Sequence, residues 1–146
     1  MNPYVTAFIP PEDQRLWKLI RRQVSQLPNL NFGKDDNGEE VLLSCHILAR
    51  AVGNVHNIQV VDGHWFIGFE HSWCVTEHGN IIDVYPVATL GGVTLVHGDM
   101  PLINQLYRRK ESLEVSNARF ETDWFERAVE IVAKGLSHFP TVLAKS

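Results

Sequence analysis

Apolar residues recur along this chain with two different spacings, and the change between them separates helical from extended regions. Leu16, Leu19, Ile20, Val24 and Leu27 follow helical spacing after Pro10-Pro11-Glu12-Asp13, where proline and acids suit a first turn, and Pro28 closes the run. Asn29 to Glu40 loses the pattern, carries Gly33 and Gly38 among mixed charges, and reads as a loop suited to be a mobile segment. Leu42, Ile47, Leu48, Ala51 and Val52 predict a second helix that stops near Gly53-Asn54. It starts either at Ser44, as an N-cap, or nearer Glu39.

The central third alternates instead. Ile58 to Val61 is β-rich, and Asp62-Gly63 is a favoured two-residue hairpin turn. His64 to Thr76 follows as one long strand. Its odd positions Trp65, Ile67, Phe69, Trp73 and Val75 are apolar while Gly68, Glu70, Ser72 and Thr76 are not, which predicts one buried face. Glu77-His78-Gly79-Asn80 turns the chain into Ile81 to Tyr85, ended by Pro86, and Gly91-Gly92 precedes a short run from Val93 to Val96. Thr122 or Asp123 caps a last amphipathic helix with Phe125, Val129, Ile131, Val132 and Leu136 on its apolar side. Helix, helix, antiparallel strands, helix is the order of an α+β fold.

Length and charge narrow the classes. The 146 residues fit one domain, 1–146, long enough to build a core without staples. The net charge is −4 with both signs interspersed, so there is no basic stripe for a nucleic acid. No stretch approaches the roughly 20 apolar residues of a membrane span. Met1-Asn2-Pro3-Tyr4-Val5 lacks the basic and apolar regions of a signal peptide. Two cysteines, Cys45 and Cys74, make no disulfide framework, so the expectation is a cytoplasmic protein with free thiols.

Three side chains stand out by position. Cys45 falls at or near the start of the second helix, His71 interrupts the apolar face of the long strand, and Asp83 interrupts the next strand between Ile82 and Val84. Polar groups among strong apolar neighbours need partners, and these three can supply one another's. A helix N-terminus lowers a thiol's pKa, an imidazole takes and returns its proton, and a carboxylate fixes the imidazole's tautomer. His71 and Asp83 share a sheet face only if the loop between their strands has an odd number of residues. A three-residue loop, Thr76-Glu77-His78, sets His71 directly opposite Asp83; a two-residue Gly79-Asn80 loop turns the carboxylate away.

Ser44-Cys45-His46 opening a helix, His71-Ser72-Trp73 in a strand and Ile81-Ile82-Asp83-Val84-Tyr85-Pro86 in the next resemble the transglutaminase-like (papain-type) cysteine hydrolase superfamily. The resemblance covers roughly Val41 to Pro86. It implies a cysteine on a helix start packed against an antiparallel sheet, with Cys45 as nucleophile, His71 as general base and acid and Asp83 as the orienting carboxylate. Trp73 would wall the site and His46 would border its cleft, both toward substrate. The implied activity is a thiol hydrolase or acyl transferase (peptidase, amidase, deamidase or transferase). Its substrate would be a peptide, protein or small amide, with no cofactor or metal. The backbone N–H of Cys45 is the candidate oxyanion donor. The connection from Cys45 to His71 is short beside larger members of the superfamily.

Two other readings stand beside this one. The same scaffold could serve as a non-catalytic binding module. Cys45 with His46, His56, His64, His78 and His97 could hold a metal, although no ligand spacing of a known kind supports it. Cys74 lies three residues from His71, on the opposite strand face, and reads as structural.

Overall fold

The computed structural model describes residues 9–28, 31–34, 38, 40–66, 68–84, 92–109 and 122–137. Helix α1, Pro11–Ser25, begins with proline in its first turn followed by Glu12 and Asp13, and it buries Ile20, Gln23 and Val24. Asn31–Lys34 (β1) and Glu40–Leu42 (β2) pair antiparallel, so part of the predicted loop is a small two-stranded sheet. Neither strand is long enough to show an alternation by which sequence could find it.

Helix α2 spans Cys45–His56, with Ser44 as N-cap: its side-chain oxygen accepts the Ile47 N–H at 3.3 Å. It does not stop at Gly53-Asn54. The helix runs through Gly53 to end on Asn57, which takes the left-handed conformation at φ 54°. Gly53 is there for space, because a Cβ would lie 2.5 Å from the Val60 side chain.

The main sheet has five strands in the order β6-β5-β4-β3-β7, with β3 Gln59–Trp65, β4 Phe69–Val75, β5 Ile81–Asp83, β6 Thr94–Val96 and β7 Tyr107–Arg109, each pair antiparallel. The expected hairpin turn at Asp62-Gly63 is wrong: β3 passes straight through both residues. The Asp62 carboxylate is taken up by Arg50 and Ser72. Gly63 lies in a close crossing, where a Cβ would stand 2.2 Å from the Arg108 carbonyl oxygen and 2.6 Å from the Trp73 ring. The reversal comes later, where Phe66 (φ 59°) and Gly68 (φ 123°) take positive φ. The single strand expected from His64 to Thr76 is therefore two strands, and Ile67, Tyr85, Pro86 and Gly91 lie outside the described residues.

The one-face pattern also fails in the middle of β4. His71, Ser72, Trp73 and Cys74 are all buried, while Phe69 is 61% exposed. One sheet face packs Cys74, Ile82 and Leu95 against α2, α1 and the last helix, α4 (Asp123–Ser137). The other face gathers Val61, Trp73 and Ile81 with Val96, Ile103 and Tyr107. In α4, Phe125, Val129, Val132 and Leu136 are buried with Ala128, but Ile131 is 54% exposed. Thr122 accepts the Phe125 N–H at the start of that helix. A short helix, α3 (Pro101–Leu106), leads into β7; both are absent from the sequence reading.

The loop from β4 to β5 has five residues, Thr76–Asn80, closed by the Thr76 N–H on the Asn80 carbonyl at 2.9 Å. The buried Asp13 of α1 ties it down, accepting from Thr76 Oγ1 at 2.7 Å and from Asn80 Nδ2 at 2.8 Å. Five is odd, so His71 and Asp83 share a face. The register is shifted from the expected direct pairing: Cys74 faces Ile82, which sets Asp83 across from Trp73 and diagonal to His71. No helix among the described residues is long and apolar enough to cross a membrane.

Candidate active site

Cys45 is the first residue of α2, at the positive end of the helix dipole. β4 extends past the end of β5, and there, at His71 and Ser72, the helix tip meets the strand. The imidazoles of His71 and His46 and the Ser72 backbone N–H lie beside the thiol, where they favour its anion.

On the face away from the helices, His71 Nε2 lies 2.9 Å from both carboxylate oxygens of Asp83. A carboxylate only accepts, so Nε2 carries the hydrogen and Nδ1 is left for the sulfur. Tyr107 donates its hydroxyl to Asp83 Oδ2 at 2.8 Å, and the Trp65 and Thr94 side chains hydrogen-bond that hydroxyl in turn. Trp73 packs 6.0 Å from the His71 ring and edge-on to Tyr107 at 5.2 Å. It is 2% exposed, so it braces these rings from below and has almost no surface to offer a substrate.

These contacts set the charges. Burial pushes the Cys45 thiol up, but the His46 and His71 hydrogen bonds, with help from the Ser72 N–H, prevail and bring it down to about 6. Burial pushes His71 down, and the bonds to Asp83 and Cys45 prevail and raise it to about 9. Between those values the pair rests as thiolate and imidazolium. Cys74 has the opposite fate: burial pushes it up to about 12, and its thiol donates to the Ala49 carbonyl at 3.3 Å.

The helix-side face carries a second polar chain. His46 Nδ1 lies 2.6 Å from Ser72 Oγ, Ser72 donates to Asp62 Oδ1 at 2.5 Å, and Arg50 Nη2 donates to Asp62 Oδ2 at 2.6 Å. The two networks meet at Cys45 from opposite sides of β4.

The structure thus brings Cys45, His71, Asp83 and His46 together. His56, His78 and His97 sit elsewhere, His56 on Gln23 and His78 on Glu12. Among the described residues no group of three His, Cys, Asp or Glu side chains is arranged to hold a metal. Tyr107, Ser72, Asp62 and Arg50 escaped the sequence reading. Arg50, four residues after His46, carried a signal in its helical spacing, and Ser72 one in its adjacency to His71. Tyr107 carried none. Comparison with protein-family models, curated proteins and solved structures finds no match.

Proposed function

We propose that this chain is a thiol hydrolase or acyl transferase of the transglutaminase-like kind, acting on an amide or peptide bond through an acyl-cysteine intermediate. The observation that carries this reading is the placement of His71, bonded to Asp83 through Nε2 at 2.9 Å and set beside Cys45 at the tip of α2, close enough to stabilise its thiolate.

In the proposed reaction the Cys45 proton passes to His71, and the thiolate attacks the substrate carbonyl carbon. The C–S bond forms as the carbonyl electrons move onto oxygen, with the Cys45 N–H as the candidate oxyanion donor. Collapse of the adduct breaks the C–N bond, and the leaving amine takes the proton from His71. Water or an acceptor amine then attacks the thioester, gives its proton to His71 and expels the thiolate. Asp83 holds the imidazole in one tautomer and supports its charge throughout. No step calls for a cofactor. Hydrolysis of a peptide or protein amide is the preferred form, with deamidation or transfer as variants that differ only in leaving group or acceptor.

The test is the pH dependence of iodoacetamide labelling, resolved by residue with peptide mass spectrometry. Cys45 is expected to label with a midpoint near 6 and Cys74 to stay unreactive. His71→Ala should move the Cys45 midpoint toward an ordinary thiol, about 8.5. A Cys45 that labels as slowly as Cys74, with no change on His71→Ala, would leave a binding module.

A further inference from the structure

The strand register lays an aromatic row across three strands of the main sheet. Phe69 of β4 stands opposite Trp65 of β3, and Trp65 stands opposite Tyr107 of β7. Two residues along β4 comes the row of His71, Gly63 and Arg109. Side chains two apart on a strand share a face, so both rows lie on the side of the sheet where His71 meets Asp83. Glu70, His64 and Arg108, the row between them, take the opposite face.

One end of the aromatic row is already engaged, because Tyr107 donates to Asp83 at 2.8 Å and packs edge-on to Trp73. The other end faces solvent. Phe69 is largely exposed, and Phe66, whose ring lies 5.5 Å from that of Trp65, is 51% exposed. The turn that presents Phe66 is pinned on both sides. Its N–H donates to the Leu106 carbonyl at 2.9 Å, and its carbonyl accepts from Arg108 Nη2 at 3.1 Å. Between those bonds Phe66 holds the left-handed backbone conformation, at φ 59°, which bulky side chains rarely adopt. Strain kept in place to display an apolar ring to water costs stability, and such strain gathers where ligands bind.

Position says what covers these rings. Phe69 lies two residues from His71, about 7 Å along the strand at about 3.4 Å per residue. An extended substrate advances by the same step, so with its carbonyl at Cys45 a side chain one or two residues away reaches Phe69. We propose that Phe66 and Phe69, backed by Trp65, form a subsite for an aromatic or large aliphatic side chain of the substrate. The substrate class is then a peptide or amide carrying an apolar group next to the bond under attack. This rests on Cys45 being the nucleophile beside His71, and it adds the specificity which that reading leaves open.

The experiment compares labelling of Cys45 in the full chain by iodoacetamide and by N-phenethyl iodoacetamide, each losing iodide to the thiolate. The same pair of reagents on the urea-unfolded chain gives their intrinsic ratio. Relative to that ratio, the aromatic reagent should label the folded wild type roughly tenfold faster, about what stacking on the two rings supplies. Phe69→Ala should remove most of the advantage, and Phe66→Gly, which suits a left-handed backbone, should remove part of it. In both variants the rate with plain iodoacetamide, and its pH midpoint, should stay at the wild-type values. The proposal is overturned if the folded wild type shows only the intrinsic ratio, or if the advantage survives both substitutions. It is overturned as well if Phe69→Ala lowers the apparent size on gel filtration while the ratio stays put, which would assign the rings to a second copy of this chain. Plain iodoacetamide labelling Cys45 no faster than Cys74 would instead sink the reading of Cys45 as nucleophile, and this inference with it.

Discussion

At Cys45 and His71 two opposed shifts leave a window, from about 6 to about 9, in which the sulfur is negative and the ring positive. Turnover of an acyl p-nitroanilide should therefore follow a bell. It should rise through the lower value as thiolate forms and fall through the upper one as His71 loses the proton that the leaving amine needs. The stability linkage has matching signs. His71, raised, contributes stability that is complete below its ordinary value and lost as pH climbs through about 9; Cys45, lowered, contributes stability at high pH that is lost as pH falls through about 6. Tyr107→Phe removes the hydroxyl donor on Asp83 while keeping the ring that packs on Trp73. A charge-assisted hydrogen bond is worth about 1.5–3 kcal/mol, so kcat/KM should fall roughly 10- to 100-fold with KM nearly constant. At this scale the sequence showed which residues were out of place among apolar neighbours. It did not show Tyr107, because a tyrosine on a three-residue strand breaks no local pattern.

Strands and turns were legible where their period ran long enough, and they misled where one residue served two elements. Asp62-Gly63 has the composition of a tight turn, yet the aspartate answers Arg50 and the glycine makes room for Trp73 and for β7. Neither partner is near in sequence. Gly63→Ala puts a methyl into that crossing and should destabilise the fold by about 1–3 kcal/mol, read as a lower urea midpoint. Asp13→Ala cuts both side-chain bonds that hold the Thr76–Asn80 loop. Leaving two buried donors without partners should cost about 2–5 kcal/mol, and with the loop loosened Cys45 labelling should weaken as well. The parity of that loop was predicted correctly from the chemistry it had to serve; its length was not. A five-residue loop satisfies the same parity as three, and the Asp13 carboxylate that selects five comes from α1.

Across the whole molecule, two packed clusters lie on either side of one sheet. The larger sits under α2 and α4, where Leu136 is fully buried. Leu136→Ala should cost about 2–5 kcal/mol, and at this chain length each kcal/mol lowers the melting temperature by about 2–4 °C. The Cys45 midpoint should stay unchanged below the transition, since Cys45 itself lies outside that cluster. The class α+β was visible in the order of elements, and so was burial of Trp73, on the face of the smaller cluster; burial of the opposite face of β4 was not, because Ser72 and Cys74 carry no apolar alternation that would have announced it. Consecutive residues of that strand, His71 and Ser72, feed opposite layers of the molecule, yet both answer to the same sulfur. A slip of β4 by a single position would turn every one of its side chains to the other layer, taking the His71 ring away from the face of Asp83. Reactivity at Cys45 is therefore a readout of strand alignment, able to expose a misthreaded sheet that circular dichroism would pass as native.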